Sequence, residues 1–566
     1  MQRRILVFAV LLAIVPGGLL PPLAAAPNNG STRRARNLPA ALRKIPADAP
    51  RVIKAVSWGP TENDAEAAKM KILKSASVRA HLKGARHRIL SFELVDKPKK
   101  ANGEMSDPPD SFRATLFDYT NNRAFIASGR FDSATVDIVE TQTQPDVSPE
   151  EFQEAVALLT KDSKFGPSLT NRSVAPYEPM PPLMNDSMTV KNAERTVAVG
   201  LQAKDGSTNE IVAVNLIRNS IARFADNAPA TASAVPTMVC GPPSAGQGGT
   251  GRGTGQALIT ISRGDTEVWR FIVLRPSASS GTRASGVELR DVFYLGKKVL
   301  SRANAPILNV QYERNLCGPY RDWSYSEDSF DAVGTDLAPG VRLCTQPPQT
   351  ILDDGTDLGN FKGVAVWDSR EDVQLVSEMN AGWYRYLSEW NLQDDGVIRA
   401  RYGFAATANS CVCHIHFHHV YWRLDFDIVG TDNQVSEDRN GSVRKLTTEE
   451  MLPRIFGTRH RFIVRNSGGF EQAVIIPGED DGNFDKYGKG DVWVLRNKFP
   501  SELDDGVNCT SGCDTRIRLD PFMSGETVGS ADLVVWYGGH WTHDNEDTNS
   551  LSGHHVLGPN IVLEFY

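Results

Sequence analysis

The stretch HIHFHHVYWRLDFDIVGTDN, residues 414–433, places four histidines directly before an Arg-Leu-Asp-x-Asp sequence. From residue 420 onward it is rich in aromatic and β-branched residues, which favours a strand. Alternate side chains of a strand share one face, so His416 and His418 would stand about 7 Å apart at Cα, close enough to bind one metal ion. The side chains expected on the opposite face are those of Arg423, Asp425 and Asp427. The stretch therefore predicts a metal site on one face and a carboxylate pair on the other.

The length and composition of the chain limit its fold and its partners. With 566 residues it is too long for one hydrophobic core, and we expect roughly two to four domains. The charged fraction of 23% is ordinary for a soluble globular protein. The net charge of −7 argues against a nucleic acid as the partner and is compatible with a cationic substrate.

The N-terminus has the composition of a secretion signal. Two arginines precede an apolar run, and alanines follow it at a suitable distance for cleavage, so we expect residues 1–26 to be a signal peptide. Pro16 and two glycines interrupt the run, which argues against a membrane anchor, and no later segment is apolar for long enough to span a bilayer. We therefore expect a secreted, extracellular protein. Five glycosylation sequons agree with this, at Asn29, Asn171, Asn185, Asn440 and Asn508.

Secretion also permits disulfide bonds among the seven cysteines. Two closely spaced pairs, Cys411 with Cys413 and Cys509 with Cys513, would alternatively suit a thiolate metal site. In an oxidising compartment, disulfides or buried thiols are favoured over such a site. Because the count is odd, at least one cysteine is unpaired or forms an intermolecular bond.

Helical and strand-like segments alternate in the first half of the chain. Residues 62–82 carry a loose apolar stripe that predicts a helix, and Ser148 followed by Pro and two acidic residues is typical of a helix N-terminus. The run GQGGTGRGTG, residues 246–255, resembles a phosphate loop but lacks its Lys-Ser/Thr ending, so a flexible linker is favoured.

Beyond this run, short alternating segments such as VWRFIVL and DVWVLR predict a large antiparallel β-sandwich. The predicted fold class is mainly β with α+β. The predicted divisions are a small α+β domain at 50–145, a second one at 146–228, a linker at 229–255 and the sandwich at 256–566.

Two histidines on one strand need a third ligand from elsewhere in the chain. The sequence DLVVWYGGHWTHDNED, residues 532–547, indicates a strand ending in His540 and His543. Three neutral imidazoles that leave coordination positions vacant suit Cu(II) or Zn(II). The sequence does not distinguish between the two metals. Two histidine clusters at ligand-like spacing favour a metal site over isolated core or surface histidines.

These motifs resemble those of the copper-dependent amine oxidases, which form a topaquinone cofactor from one of their own tyrosines. The resemblance covers most of the chain after residue 50. The family pattern HxHxxxxRLD matches His416 and His418 before Arg423-Leu424-Asp425. The family's third copper ligand lies seven residues after the Trp of a strand resembling DLVVW, which here gives His543. The resemblance thus implies His416, His418 and His543 as copper ligands and residues 256–566 as the catalytic domain.

The same resemblance assigns the cofactor residue. In AGWYRYLSEWNLQDDGVI, residues 381–398, Tyr384 matches the tyrosine that becomes topaquinone. Aromatic residues follow at the expected positions, and Asp-Asp-Gly at 394–396 supplies a hairpin turn. Without the neighbouring motifs, a buried aromatic strand would be the preferred interpretation. Trp383 and Arg385 stand where the family usually has Asn and an acidic residue.

Further roles follow from the family pattern alone. Its catalytic base is the Asp of a YxD sequence, which implies Asp322 as the proton acceptor and Tyr320 as the gate residue of the substrate channel. Tyr312 is the candidate for a hydrogen bond to the quinone oxygen. A carboxylate with a raised pKa in a dry pocket would suit abstraction of the substrate Cα proton.

The family also has a peripheral calcium site. Its ligands would here be Asp425, the Phe426 carbonyl, Asp427, Asp532 and the Leu533 carbonyl. Hard oxygen ligands suit Ca²⁺. A salt bridge from Asp425 to an arginine is an equally good interpretation of the same residues.

The resemblance implies a secreted, homodimeric primary-amine oxidase that uses Cu²⁺, topaquinone and O₂. It would convert a small primary amine to an aldehyde and release ammonia and hydrogen peroxide. Two alternatives stay open. One is a three-histidine zinc hydrolase, and the other is a non-catalytic copper-binding relative, to which the unusual neighbours of Tyr384 point.

Overall fold

Strands make up most of the structure, as the alternating apolar segments predict. The computed structural model describes residues 39–565 with the exception of 44, 47–48, 101–102, 143, 179–193, 204–208, 224–239, 246–254, 281–285, 314–318, 322–325, 485–489, 504–518, 520–521 and 544–555. The described strands form two large and two small sheets. Nearly all neighbouring strands are antiparallel, and the predicted fold class is confirmed.

The first large sheet contains the histidine strand near its centre. In order of hydrogen-bonded neighbours it consists of Arg51–Ser57, Gln256–Arg263, Thr266–Leu274, Glu288–Tyr294, Lys297–Tyr312, His416–Phe426, Leu533–His543, Val492–Arg496 and Glu450–Leu452. A short strand, Pro319–Arg321, pairs with the end of Lys297–Tyr312.

The second large sheet contains the strand that begins with Tyr384. Its order is Gly334–Ala338, Val341–Cys344, Val364–Asp368, Asp372–Ala381, Tyr384–Gln393, Val397–Ala406, Asn560–Glu564, Gln472–Ile476, His460–Asn466, Asn433–Arg439 and Ser442–Lys445. Three short strands pair beside this path: Ser326–Glu327, Gly529–Ala531 and Val556–Leu557. The second and third strands of the order are parallel to each other.

The two large sheets face each other across a core of aromatic side chains. The indole N–H of Trp269 in the first sheet donates to the carbonyl of Gln393 in the second, at 3.0 Å. The hydroxyl of Tyr294 donates to the carbonyl of Asp394 at 2.8 Å. Both rings are buried, so these bonds satisfy polar atoms that would otherwise be costly to remove from water. They also fix how the predicted hairpin turn at 394–396 sits against the opposite sheet.

The two small sheets each pack with helices. The first sheet is His87–Val95, Ser111–Asp118, Arg123–Arg130 and Val136–Thr141, and the second is Val174–Tyr177, Thr196–Ala203, Asn209–Asn215 and Ser220–Arg223. The α-helices are Ala40–Arg43, Glu62–Lys74, Ala76–Leu82, Pro149–Lys161, Gly166–Thr170 and Ile351–Asp354. Short 3₁₀ turns occur at Pro276–Ala278, Ser410–Cys413 and Ser501–Leu503.

The predicted start of one helix is confirmed, and another predicted helix is divided in two. Ser148 caps Pro149–Lys161 as predicted, because its side chain accepts from the backbone N–H of Glu151 and the Glu151 side chain accepts in return. The helix predicted over 62–82 is in fact two helices. Ser75 leaves the helical conformation with ψ of 137°, and its N–H ends the first helix on the carbonyls of Lys71 and Ile72.

The strand Arg51–Ser57 was not expected in the large sheet. It pairs along its whole length with Gln256–Arg263, so the start of the predicted 50–145 division is part of the sandwich. The Arg51 side chain continues this attachment with ion pairs to Asp368 at 2.6 Å and Asp394 at 2.9 Å.

Several sequence predictions fall on residues that the structure does not describe. These are the signal peptide at 1–26, most of the linker at 229–255, and the sequons at Asn29, Asn185 and Asn508. The described sequon residues Asn171 and Asn440 are exposed. Cys240, from the linker region, forms a disulfide with Cys413, which agrees with the preference for disulfides over a thiolate metal site. None of the helices in the described ranges is long and apolar enough to cross a membrane.

Candidate metal centre

Strand register brings the predicted site residues together at one end of the first large sheet. His416 pairs with Tyr312 on one side and with His543 on the other. Residues directly opposite each other in an antiparallel pair have their side chains on the same face. The three side chains therefore lie side by side, and His418 joins them because it is two residues along the same strand.

Three imidazoles converge at this point. The ring centroids of His416 and His418 are 4.8 Å apart, and those of His416 and His543 are 4.5 Å apart. One nitrogen of each of the three rings lies within 4.8 Å of the others, which is close enough for one ion to touch all of them. His416 and His418 are buried, and His543 is half-buried.

The protonation state of His416 suits a metal ligand. Burial, and next the proximity of His543, lowers the pKa of His416 to about 3, so its ring is neutral at ordinary pH. Nδ1 lies 2.6 Å from the carbonyl of His414, which makes Nδ1 the donor and leaves the lone pair on Nε2. Nε2 is buried and has no hydrogen-bond partner among the residues that the structure describes. A neutral nitrogen left without a partner fits a bound Cu²⁺ or Zn²⁺.

Tyr384 lies beside these histidines, on the facing sheet. Its ring centroid is 5.0 Å from that of His418 and 5.7 Å from that of His416. The side chain is almost wholly buried. Tyr386, on the same face of its strand, stacks on Tyr384 at 5.7 Å. The phenol is thus held within reach of an ion at the three imidazoles.

A hydrogen-bonded chain fixes the Tyr384 hydroxyl. Its oxygen is hydrogen-bonded to the hydroxyl of Tyr312, and the indole N–H of Trp383 donates to the same Tyr312 oxygen at 3.1 Å. Indole is only a donor, so Tyr312 accepts from Trp383, and either hydroxyl can donate in the bond between the two tyrosines. Tyr312 therefore lies in hydrogen-bonding contact with the hydroxyl of Tyr384, and Trp383 contacts Tyr312 from its other side.

Solved structures with a similar fold include a copper-containing benzylamine oxidase, an amine oxidase and a lysyl oxidase. The copper-containing benzylamine oxidase of Hansenula polymorpha matches with a TM-score of 0.59 and 13% identity, over 90% of this chain and 98% of that one. The Aspergillus nidulans amine oxidase matches with a TM-score of 0.53 and 14% identity, over 90% and 89%. The Pichia pastoris lysyl oxidase matches with a TM-score of 0.51 and 12% identity, over 90% of each chain.

The chain has the copper amine oxidase fold. No protein-family model matches the sequence, and no curated protein matches it either. At identities this low the likeness concerns the fold, and the activity must be argued from the side chains.

The side chain of Arg385 makes buried contacts that sequence patterns did not reveal. Its guanidinium donates to both carboxylate oxygens of Asp357, at 2.6 and 3.0 Å, and makes an ion pair of 2.6 Å with Asp328. It also donates to the carbonyl of Tyr384 at 3.0 Å. Burial, with the Asp328 carboxylate, raises the pKa of nearby Glu378 well above its ordinary value. Arg385 thus anchors the backbone of Tyr384 on the strand face away from the histidines.

The predicted base and gate are only partly described. Asp322 lies outside the described residues. The backbone of Tyr320 pairs with Val310, two residues before Tyr312, so this segment runs beside the strand that carries Tyr312.

Two other histidines of the clusters, His419 and His540, lie apart from the three-imidazole group. His419 pairs with His540 in the strand register, and their Nδ1 atoms are 2.8 Å apart. The other nitrogen of His540 is 3.1 Å from the Asp491 carboxylate. Both rings are on the opposite strand face from His418, as alternation requires. The choice of His543 over His540 as the third member of the group matches this geometry.

The predicted calcium ligands surround a lysine. The carboxylates of Asp425, Asp427 and Asp532 cluster as expected, and the ammonium of Lys99 lies among them. The alternative salt bridge from Asp425 to an arginine is also present, since Arg423 is 3.5 Å away.

We expect His416→Ala to reduce copper affinity by at least about 100-fold, because it removes a neutral nitrogen at the centre of the group. His419→Gln is the matched control, since His419 lies on the same strand but faces the other way. Copper content by mass spectrometry and competition with a chelator measure the effect. Equal copper affinity in the two variants would show that His416 does not hold the ion.

A second prediction concerns the buried Glu378. Its folded-state pKa is raised, so the protonated form stabilises the fold, and this contribution is lost as the pH rises from about 4.3 through the folded pKa. Each such group changes the unfolding free energy by up to about 1.4 kcal/mol per pH unit. We expect Glu378→Gln to lose this dependence, while exposed Glu371→Gln keeps it. Denaturant unfolding across this pH range measures both, and parallel profiles for wild type and Glu378→Gln would contradict the assignment.

Proposed function

We propose that the chain is a copper-dependent primary-amine oxidase. The single observation that supports this best is the approach of Tyr384 to the three imidazoles, with its hydroxyl held by Tyr312. A metal site alone would suit many reactions. A buried tyrosine at the edge of a three-histidine group, in the copper amine oxidase fold, suits a cofactor made from the chain itself.

The residues present fit Cu²⁺ and a quinone derived from Tyr384. His416, His418 and His543 would hold the ion, and Tyr312 would donate its hydroxyl proton to the oxygen of the modified ring. The quinone would supply an electrophilic carbonyl, and a copper ion held by the three imidazoles would assist reaction with O₂. The burial of the Tyr384 side chain excludes bulk water from this region.

The proposed overall reaction consumes one amine, one O₂ and one water. It yields an aldehyde, ammonia and hydrogen peroxide, so the amine carbon is oxidised by two electrons and O₂ is reduced by the same two. The step that requires a protein group is removal of a proton from the substrate Cα. We assign it to Asp322 on the family pattern, with Tyr320 at the entrance of the channel.

The two unusual neighbours of Tyr384 are compatible with this function. Arg385 is neutralised by Asp357 and Asp328 and has its side chain on the strand face away from the copper ligands. Trp383 supports Tyr312 through its indole N–H. Neither side chain has to move for the Tyr384 ring to reach the histidines.

Two other functions are separated by direct chemical tests. A three-histidine zinc hydrolase would carry zinc and no carbonyl cofactor, so phenylhydrazine would give no coloured adduct. A non-catalytic relative would bind copper while Tyr384 stays an ordinary tyrosine.

The decisive experiment is peptide mass spectrometry on protein loaded with copper in air. We expect the peptide containing Tyr384 to gain oxygen and lose hydrogen, and the protein to react with phenylhydrazine. Tyr384→Phe should lose the mass change, the colour and amine turnover. Asp322→Asn should keep the mass change and the colour but lose turnover, because only proton abstraction is affected.

An unmodified Tyr384 in copper-loaded protein would contradict the proposed function. Normal turnover in Asp322→Asn would instead remove only the base assignment. Tyr386→Phe is the matched control, since it lies on the same strand face and stacks on Tyr384.

A further inference from the structure

A three-carboxylate cluster lies on the face of the histidine strand that is opposite the metal centre. Asp425 and Asp427 belong to this strand and its continuation, and Asp532 immediately precedes the neighbouring strand. One oxygen of each carboxylate lies within 4.8 Å of the others. The first two side chains are buried, and the third is partly exposed. Three carboxylates this close repel one another unless a cation lies between them.

The chain supplies that cation itself. Nζ of Lys99 is 2.9 Å from Asp425, 3.2 Å from Asp427 and 2.6 Å from Asp532. A lysine ammonium has three N–H donors, and each of them has one carboxylate acceptor here. The carboxylates in turn hold the pKa of Lys99 above its ordinary value, although burial opposes this.

Lys99 is brought to the cluster by a segment that Asp96 attaches to the large sheet. It follows the strand His87–Val95 of the first small sheet. Asp96, three residues earlier, makes ion pairs with Arg290 and Arg302 of the large sheet, the latter at 3.2 Å. The segment thus places one anion and one cation against complementary charges of the sandwich. A tethered ammonium needs no free ligand to stay in place.

A second lysine and an asparagine amide also contact the carboxylates of the cluster. Lys298 is 2.7 Å from Asp291 and 3.3 Å from Asp427. Asn497 donates to Asp425 at 2.9 Å and to Asp532 at 3.2 Å. Burial, and next Asp425, raises the pKa of Asp427 to about 6, against the opposing effect of Lys99 and Lys298.

A calcium ion and this lysine cannot occupy the cluster together. Ca²⁺ requires about six to eight oxygen ligands at about 2.3–2.6 Å. The same three carboxylate oxygens already surround Nζ at 2.6–3.2 Å, so an ion bound by them would overlap the ammonium. The residues present therefore do not fit the calcium site implied by the family resemblance.

We infer that Lys99 takes the place of a divalent cation at this cluster and joins the segment after the first small sheet to the sandwich without any metal. The folded chain is then independent of calcium. This inference does not rest on the proposed amine oxidase activity, and its test measures stability and calcium binding only.

The test compares the thermal midpoint of the full-length protein with and without millimolar CaCl₂. MgCl₂ and NaCl at equal ionic strength serve as salt controls. For wild type we expect no calcium-specific shift and no calcium retained after dialysis. For Lys99→Ala we expect the midpoint to fall by at least about 5 °C, because buried carboxylates lose their counter-charge. Added CaCl₂ should restore much of this loss, because the alanine leaves room for the ion.

Two further variants test whether the loss of stability and the calcium response belong to Lys99 and its three carboxylates. Lys97→Ala removes a nearby lysine that pairs with Asp110 instead, so its midpoint should stay near wild type and not respond to calcium. The double variant Lys99→Ala with Asp532→Asn lacks one ligand, so the calcium response should be lost.

Three results would overturn the inference. The first is a calcium-specific rise in the wild-type midpoint, or calcium retained by the wild type, which remains decisive even if Lys99→Ala does not fold. The second is a Lys99→Ala midpoint equal to wild type. The third is a destabilised Lys99→Ala protein that calcium does not stabilise more than NaCl does.

Discussion

The antiparallel register around the strand His416–Phe426 is the constraint on which the rest of the site depends. Pairing with one neighbour sets Tyr312 opposite His416, and pairing with the other sets His543 opposite His416. A slip of one residue in either pair would turn Tyr312 or His543 to the opposite face of the sheet, away from the side chain of His416. The buried aromatic side chains on both faces make such a slip costly, so the core of the sandwich also specifies the geometry of the metal centre.

Local sequence patterns predict those structural elements that depend only on residues close together in the chain. The alternation of the histidine strand, the capped helix after Ser148 and the hairpin at 394–396 all follow from short-range rules. The pairing of Arg51–Ser57 with Gln256–Arg263 does not follow from such rules. About two hundred residues separate the two strands, and the sequence of neither one identifies its partner. His543 was chosen by family spacing, since local rules treat it and His540 alike. Asp357 and Asp328 were missed because only the fold brings them to Arg385.

In two places of the described structure a cationic side chain is surrounded by carboxylates. Lys99 neutralises three carboxylates on one side of the histidine strand. Arg385 is neutralised by two carboxylates beneath Tyr384, and it holds the backbone there through carbonyl contacts. Both interactions are buried or nearly so, where unpaired charges are expensive. Solved structures with the same fold are only 11–14% identical to this chain, so the sheets persist although most side chains differ.

The central claim is that three imidazoles from two distant segments hold one ion beside a tyrosine that the ion helps to modify. Anomalous diffraction at the copper absorption edge, from crystals of copper-loaded protein, tests this claim most directly. We expect one strong peak at about 2.0–2.1 Å from a nitrogen of each of His416, His418 and His543, with extra density on the ring of Tyr384. A peak at His419 and His540 instead, or none at the three imidazoles, would contradict it.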